Sequence, residues 1–202
     1  MSTFKSFEES LSTVNDDNFE DIALSLFHFQ AKENKVYNSY LTYLGVNSEQ
    51  VTNLHQIPFL PISFFKTHDV VTGHWSSPVV FESSATTGSV PSSHRVKDLS
   101  LYQRNAKAIF QQFYGPLKNY NILALLPSYL ERQNSSLVAM TQYFINETKS
   151  PFSAFYLHDR DQLLTALQAA RNDGRQTILL GVSFALLELA EKQELDLGGC
   201  IV

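Results

Sequence analysis

The sequence predicts an α/β fold, a largely parallel sheet flanked by helices, with a helical layer at its N-terminus. Three observations carry that expectation. Beyond Trp75, short β-rich runs alternate with helical stripes, a pattern that favours a parallel sheet because each crossover helix covers the sheet its strands build. From Thr3 to about Val46, apolar residues recur at three- and four-residue spacing. The composition, 44% hydrophobic and 17% charged with 8 Gly and 7 Pro in 202 residues, can fill a core and excludes collagen-like and disordered chains. A single domain over residues 1–202 is expected, with 1–55 as the helical layer and 56–202 as the α/β core.

In the helical layer, Phe4, Phe7 and Leu11 share one face, and Phe19, Ile22, Ala23, Leu26, Phe27 and Gln30 mark a second helix. Asp16 or Asp17 is the expected cap of that second helix. A third, around 35–44, presents Val36, Tyr40, Tyr43 and Leu44, and Gly45 is placed to end it. Pro58 and Pro61 then forbid a continuous helix over 55–73. Phe59, Ile62, Phe64 and Phe65 predict that this extended stretch packs onto the domain.

The β-rich runs lie at 78–82, 121–126, 154–157, 177–181 and 200–202, and the first four are expected in one mostly parallel sheet. Between them, one stripe carries Leu99, Tyr102, Ala106, Ile109, Phe110 and Phe113 behind a cap at Asp98. The next carries Leu137, Met140 and Phe144 behind Ser135 or Ser136. A third carries Leu163, Leu164, Leu167 and Ala170 behind Asp159 or Asp161 and is closed by Gly174, and a fourth runs over about 184–192. The final Gly198-Gly-Cys-Ile-Val202 reads as a turn entering a buried strand, which makes the sequence the expected front part of a longer protein. A short edge strand is the alternative reading.

Charge and cysteine content narrow the function. Fifteen Lys and Arg against 20 Asp and Glu leave a net charge of -5, so there is no basic field to hold a nucleic-acid backbone. No apolar run reaches the roughly 18 residues of a membrane span, and the N-terminus lacks the basic and apolar regions of a signal peptide, so a cytoplasmic location is expected. Cys200 is the only cysteine, which excludes an internal disulfide and reads as a small buried apolar residue. His28, His55, His68, His74 and His158 show no metal-ligand spacing, and no metal site is expected.

The stretch that carries chemistry is Val79-Val-Phe-Glu-Ser-Ser-Ala-Thr-Thr-Gly-Ser-Val-Pro-Ser-Ser-His94, where a strand gives way to a loop dense in hydroxyls. Seven of the eleven residues from Ser83 to Ser93 are Ser or Thr. Small side chains let backbone amides approach a phosphate, hydroxyls add donors, and Gly88 permits backbone that a Cβ resists. The loop matches neither the Gly-Lys-Ser/Thr phosphate loop nor the Gly-rich dinucleotide fingerprint. On residue content alone, an ordinary polar connection explains it as well.

Phe81-Glu-Ser-Ser-Ala-Thr-Thr-Gly88 resembles the nucleotide-binding loop of the adenylate-forming superfamily, which includes acyl-CoA synthetases and phenylacetate-CoA ligases. More narrowly, the chain resembles the LuxE-type acyl-protein synthetase family in four further stretches. These are Leu60-Pro-Ile-Ser-Phe-Phe-Lys66, Pro91-Ser-Ser-His94, Leu125-Leu-Pro-Ser-Tyr-Leu-Glu-Arg132 and Leu179-Leu-Gly-Val-Ser-Phe184. The resemblance implies the N-terminal part of a ligase that uses ATP and Mg2+ to turn a fatty or other carboxylate into an acyl-adenylate, then passes the acyl group to a protein or other thiol. It implies that Ser83, Ser84, Thr86, Thr87 and Gly88 hold the ATP phosphates, with Ser89 beside them and His94 as a candidate catalytic group. The chain departs from the pattern at Ala85, where the family usually has Gly, and at Ser92 and Ser93, where the superfamily often has Lys, the nearest cations being Arg95 and Lys97.

Tyr129, Glu131 and Arg132 follow a strand end, where ligands gather in α/β sheets, though a surface turn accounts for the two charges equally. Lys66 is within reach of folding back on the loop, with a solvated lysine as the default. Two rival classes stand beside the ligase: a non-catalytic α/β binding module that retains a vestigial phosphate loop, and an acyltransferase that works through Ser or His without ATP.

Overall fold

The computed structural model describes residues 4–11, 13–84, 90–127, 133–192 and 195–202. The chain divides into two compact units, Met1–Lys97 and Asp98–Val202, and each is described by itself.

In the first unit, α1 spans Phe4–Leu11, α2 Phe19–Glu33, α3 Lys35–Tyr43 and α4 Phe64–Thr67. Phe27, Ala31, Tyr37, Leu41 and Val51 form its core, with Ile57 and Leu60 packed against it. The expected cap of α2 is corrected: Asn18, not Asp16 or Asp17, precedes the helix. Its side chain closes the preceding turn instead of capping, accepting from Asn15 N at 2.8 Å and donating to Thr13 O at 2.9 Å. Gly45 ends α3 with φ +68°, a conformation that a Cβ disfavours.

Asn34 joins α2 to α3. Its buried side chain accepts from Tyr37 N and donates to Thr72 Oγ1, which donates in turn to Gln30 Oε1. Tyr37 Oη donates to Pro58 O at 2.8 Å and so fixes the proline-braced stretch. The side of that stretch expected to pack is also corrected, because Ile57 and Leu60 face the core whereas Phe59 and Ile62 are exposed.

The run at 78–82 does not join the parallel sheet. As β1, Val79–Glu82, it pairs antiparallel with β2, Ser93–Val96, in a separate two-stranded hairpin. Strand propensity identified β1 but not its partner, and the polar Ser-His-Arg run of β2 carries little strand signal.

In the second unit, α5 spans Leu99–Tyr114, β3 Tyr120–Leu125, α6 Ser136–Thr148 and β4 Ala154–Phe155. They are followed by α7 at Arg160–Ala170, β5 at Gln176–Gly181, α8 at Ser183–Lys192 and β6 at Cys200–Ile201. The sheet has order β4-β3-β5-β6, all parallel. β3 is buried along its whole length, as a parallel strand covered on both faces must be. Tyr120 and Ile122 pack with Phe110, Ala106 and Phe144 of α5 and α6. Leu123, Leu125 and Leu179 pack with Leu163, Ala166, Leu167, Ala185 and Leu189 of α7 and α8. This alternation along one strand builds a core on each face. Asp98, Ser135 and Asp159 cap α5, α6 and α7, accepting from Ser100 N, Val138 N and Gln162 N.

The two-residue β4 is secured by a side chain as well as by its ladder, because Ser153 Oγ accepts from Ile122 N at 2.9 Å. Gly181 allows a close approach: a Cβ there would lie 3.0 Å from both Leu125 Cβ and Leu186 Cγ. β6 lies at the sheet edge among the described residues. No helix among those residues is long and apolar enough to cross a membrane.

Candidate functional site

The hairpin positions the residues singled out in the sequence. In an antiparallel pair, directly opposed residues share a face. Phe81 therefore sits with His94 and Val79 with Val96 on one face, while Val80 and Arg95, Glu82 and Ser93 occupy the other. Phe81 and Val96 are buried, which anchors the first face and leaves the loop end of the hairpin in solvent.

Beyond the last ladder pair, Ser83 and Ser92 close the base of the loop. Ser83 N donates to Ser92 O at 3.0 Å, and Ser92 N donates to Ser83 Oγ at 2.9 Å. The Ser83 hydroxyl thus acts as an acceptor in place of a backbone carbonyl and still has its own proton to donate. Ser84 is exposed just past this closure. Thr86, Thr87, Gly88 and Ser89, assigned to phosphate in the sequence reading, lie outside the described residues, as do Ala85, Tyr129, Glu131 and Arg132.

His94 is exposed on β2, with its ring 5.9 Å from the Phe65 ring of α4. Arg95 points to the opposite face, and its Nε donates to Asp69 Oδ1 at 2.6 Å. The nearest guanidinium after the loop is therefore held by a carboxylate, in an exposed pair that contributes little stability of its own. Lys66 is exposed on α4. Phe65 was expected to pack onto the domain but not beside His94, and Asp69 was not singled out, because both reach the hairpin through pairings that no local pattern encodes.

The hairpin's hydroxyls and imidazole can donate hydrogen bonds to an anion. Among the described residues there is no group of three or more His, Cys, Asp or Glu side chains that could hold a metal ion. Mg2+ commonly needs only one or two carboxylates when it arrives on a triphosphate, so a nucleotide-borne ion is compatible with this donor set.

Two shallow cavities lie in the second unit, apart from the hairpin residues. One, about 390 Å3, has an apolar floor including Phe152, Tyr156 and Ala166 with Asp159 and Asp161 at its rim. Both carboxylates have a helical explanation there, Asp159 as the cap and Asp161 as first-turn charge opposite the helix dipole. The other, about 420 Å3, is lined by Arg171, Arg175, Asp196 and Cys200. Its arginines pair with Asp196 and Asp173, and burial pushes the Cys200 thiol up, away from the thiolate a nucleophile needs. Cys200 is half-buried on β6.

Comparison of the chain with protein-family models, with curated proteins and with solved structures finds no match.

Proposed function

We propose that this chain carries the phosphate-binding loop of an adenylate-forming ligase of the acyl-protein synthetase kind. It would take ATP, Mg2+ and a carboxylic acid, in the first instance a fatty acid, and deliver the acyl group to a protein or other thiol. The reading rests on one observation: a segment with seven hydroxyl residues in eleven leaves β1 and returns to β2, in the sequence context Phe81-Glu-Ser-Ser-Ala-Thr-Thr-Gly88. ATP supplies the leaving group that a carboxylate lacks: the carboxylate oxygen would bond to the α-phosphorus as pyrophosphate departs, and AMP would then leave the acyl carbon when the thiol attacks it and loses its proton. The loop's part is to hold the phosphates by amide and hydroxyl donors and to offset the charge that develops on them. Ser83 and Ser84 stand at its entry, with Thr86, Thr87, Gly88 and Ser89 following in the sequence. His94 stands on the returning strand, two residues after Ser92, and is the candidate catalytic group of this reading.

A second reading, a non-catalytic module with a vestigial loop, draws support from the Arg95–Asp69 pair and from Ala85. It leaves no free guanidinium at position 95 to meet phosphate. The test is thermal protection of the chain by Mg-ATP, followed by carboxylate-dependent exchange of labelled pyrophosphate into ATP with a panel of fatty and aryl acids. Protection by ATP together with exchange supports the ligase. A folded protein indifferent to nucleotide moves the assignment to the module.

A further inference from the structure

We infer that the second unit carries a site for a small oxyanion, a carboxylate or phosphate group, anchored by Arg175 in the cavity between the α7–β5 turn and residues 196–200. Its residues all belong to that unit, and none is shared with the hydroxyl-rich loop. The cavity, about 420 Å3, is lined by Arg171, Arg175, Thr177, Gly198, Gly199 and Cys200 among others. Arg175 is the anomaly in it. Its Nη1 is buried without a hydrogen-bond partner. Its ion pair, from Nε to Asp173 Oδ2, is 3.4 Å long, and that carboxylate oxygen is likewise buried without a hydrogen bond. A pair formed only to hold the turn would close to hydrogen-bond distance and satisfy both groups. Buried donors in folded proteins are nearly always met by protein, ordered water or a bound ion, so this one calls for a partner that the chain itself does not supply.

The lining sets the ligand's chemistry. Asp196, the one carboxylate in it among the described residues, is engaged on both oxygens: Oδ1 accepts from Gly198 N at 2.9 Å, and Oδ2 faces Arg171 Nη2 at 3.0 Å. Gly199 O accepts from Gln176 Nε2, and Arg171 also donates to Asp196 O, so residues 196–199 are tied to the end of α7 and the start of β5. The cavity wall is thereby built without Arg175. What the lining still offers is donors, namely Arg175 Nη1 and the hydroxyl of Thr177, a buried residue of β5. A ligand must therefore bring acceptors, and a guanidinium fork matches the paired oxygens of a carboxylate or phosphate. The Arg175 side chain is 29% exposed, so it can turn Nη1 into the cavity and gives up only its loose contact with Asp173. Asp173 is thus a competitor that an arriving oxyanion displaces at the guanidinium.

The experiment titrates the full chain with sodium phosphate and, separately, with sodium acetate, the ionic strength being held constant with chloride. Heteronuclear NMR follows the Arg175 Nε–H and the amides of Thr177, Gly198 and Gly199. At least one of the two anions should shift these signals together and to saturation. Phosphate alone would assign the site to a phosphate group, acetate alone to a carboxylate. Arg175→Gln should weaken binding by at least about tenfold, since a hydrogen bond to a charged group is lost. Arg175→Lys, which keeps the charge without the fork, should fall between that variant and the wild type. Asp173→Asn keeps the shape and removes the competing charge, and should tighten binding by about two- to fivefold, the worth of a weak ion pair. Saturation that survives Arg175→Gln would mark an adventitious ion only and overturn the inference. Signals unmoved by either anion in the wild-type chain would overturn it as well. If Arg175→Gln does not fold, Asp173→Asn decides the matter, because unchanged or weaker affinity in that variant would show that no ligand competes with Asp173 for Arg175.

Discussion

Asn34 donates its amide Nδ2 to the hydroxyl of Thr72 at 3.1 Å, and both residues are buried, at 4% and 7% exposure. The same hydroxyl donates to Gln30 Oε1 at 2.6 Å, so one threonine bonds two carboxamides and pins Thr72 and Gly73 to the junction of α2 and α3. Thr72→Val preserves shape and leaves both partners unpaired, and should cost about 1–3 kcal/mol. Urea unfolding followed by circular dichroism reads it, and a change under about 0.5 kcal/mol would mean the network is not desolvated as the burial implies.

Gly181 lies opposite Leu125 in the β3–β5 ladder and under Leu186 of α8. Leu186 can shift, but Leu125 Cβ belongs to a buried central strand and has little freedom to give way. Gly181→Ala should therefore destabilise the second unit by about 1–3 kcal/mol through overpacking. Adding Leu186→Ala should not restore it fully, because the contact with Leu125 remains. Thermal unfolding of the single and double variants checks both statements.

Lys149 ends α6 in the left-handed region, at φ 53° and ψ 22°. That conformation costs a residue with a Cβ about 1–2 kcal/mol, and glycine returns about 0.5–1 kcal/mol of this as unfolded-state entropy. Lys149→Gly should still raise stability, by about 0.5–1 kcal/mol. A lowered melting temperature would show that the lysine side chain makes up the difference.

Two of the shifted groups give opposite pH dependences. Burial, reinforced by neighbouring Tyr40, pushes Tyr37 up to about 12 from its ordinary 10.0. Its folded value lies above the unfolded one and the buried form is the neutral one, so its contribution is intact below pH 10 and is lost between about 10 and 12. Glu147 is shifted the other way, held below its ordinary value of 4.5 by its hydrogen bond from Lys107, which joins α5 to α6. That contribution is present above the unfolded value and lost as pH falls through the depressed one. Ultraviolet titration of Tyr37→Phe should lose one late-titrating phenol. Glu147→Gln should flatten the acid limb of a stability profile by under about 1 kcal/mol, as a partly exposed pair permits.

If the loop binds nucleotide, Thr87→Val and Gly88→Leu should each weaken Mg-ATP binding without unfolding the chain, one by removing a hydroxyl donor and the other by obstructing close approach. Unchanged affinity in both variants, measured by calorimetry, would remove the phosphate assignment.

The parts of the fold that were legible are local. Asp98 was readable as a cap, and the caps of the next two helices were readable to within the pairs Ser135 or Ser136 and Asp159 or Asp161, because a cap and the amide it accepts from lie within three residues of each other. β3 and β5 stood out as compact apolar runs. The hairpin was not legible, since the partner of Val79–Glu82 is a polar run ten residues on, and strand propensity says nothing about which segments pair. Periodicity overstated the buried face of α5: Ile109 and Phe113 lie on the apolar stripe yet are 58% and 75% exposed, whereas Ala106 and Phe110 pack as expected. At the candidate site, Ser83 was recognisable by type and position. Ser92 became meaningful only once the register placed its amide on the Ser83 hydroxyl.

That closure also separates inheritance of the fold from inheritance of specificity. The chain leaves the strands at Ser83 and rejoins them at Ser92, so segment 84–91 is a cassette whose length and content can change without rethreading the unit. Doubling such a loop adds only about 0.6 kcal/mol of closure cost. The content of segment 84–91 can therefore change while β1 and β2 keep their register, provided that the Ser83–Ser92 closure is kept.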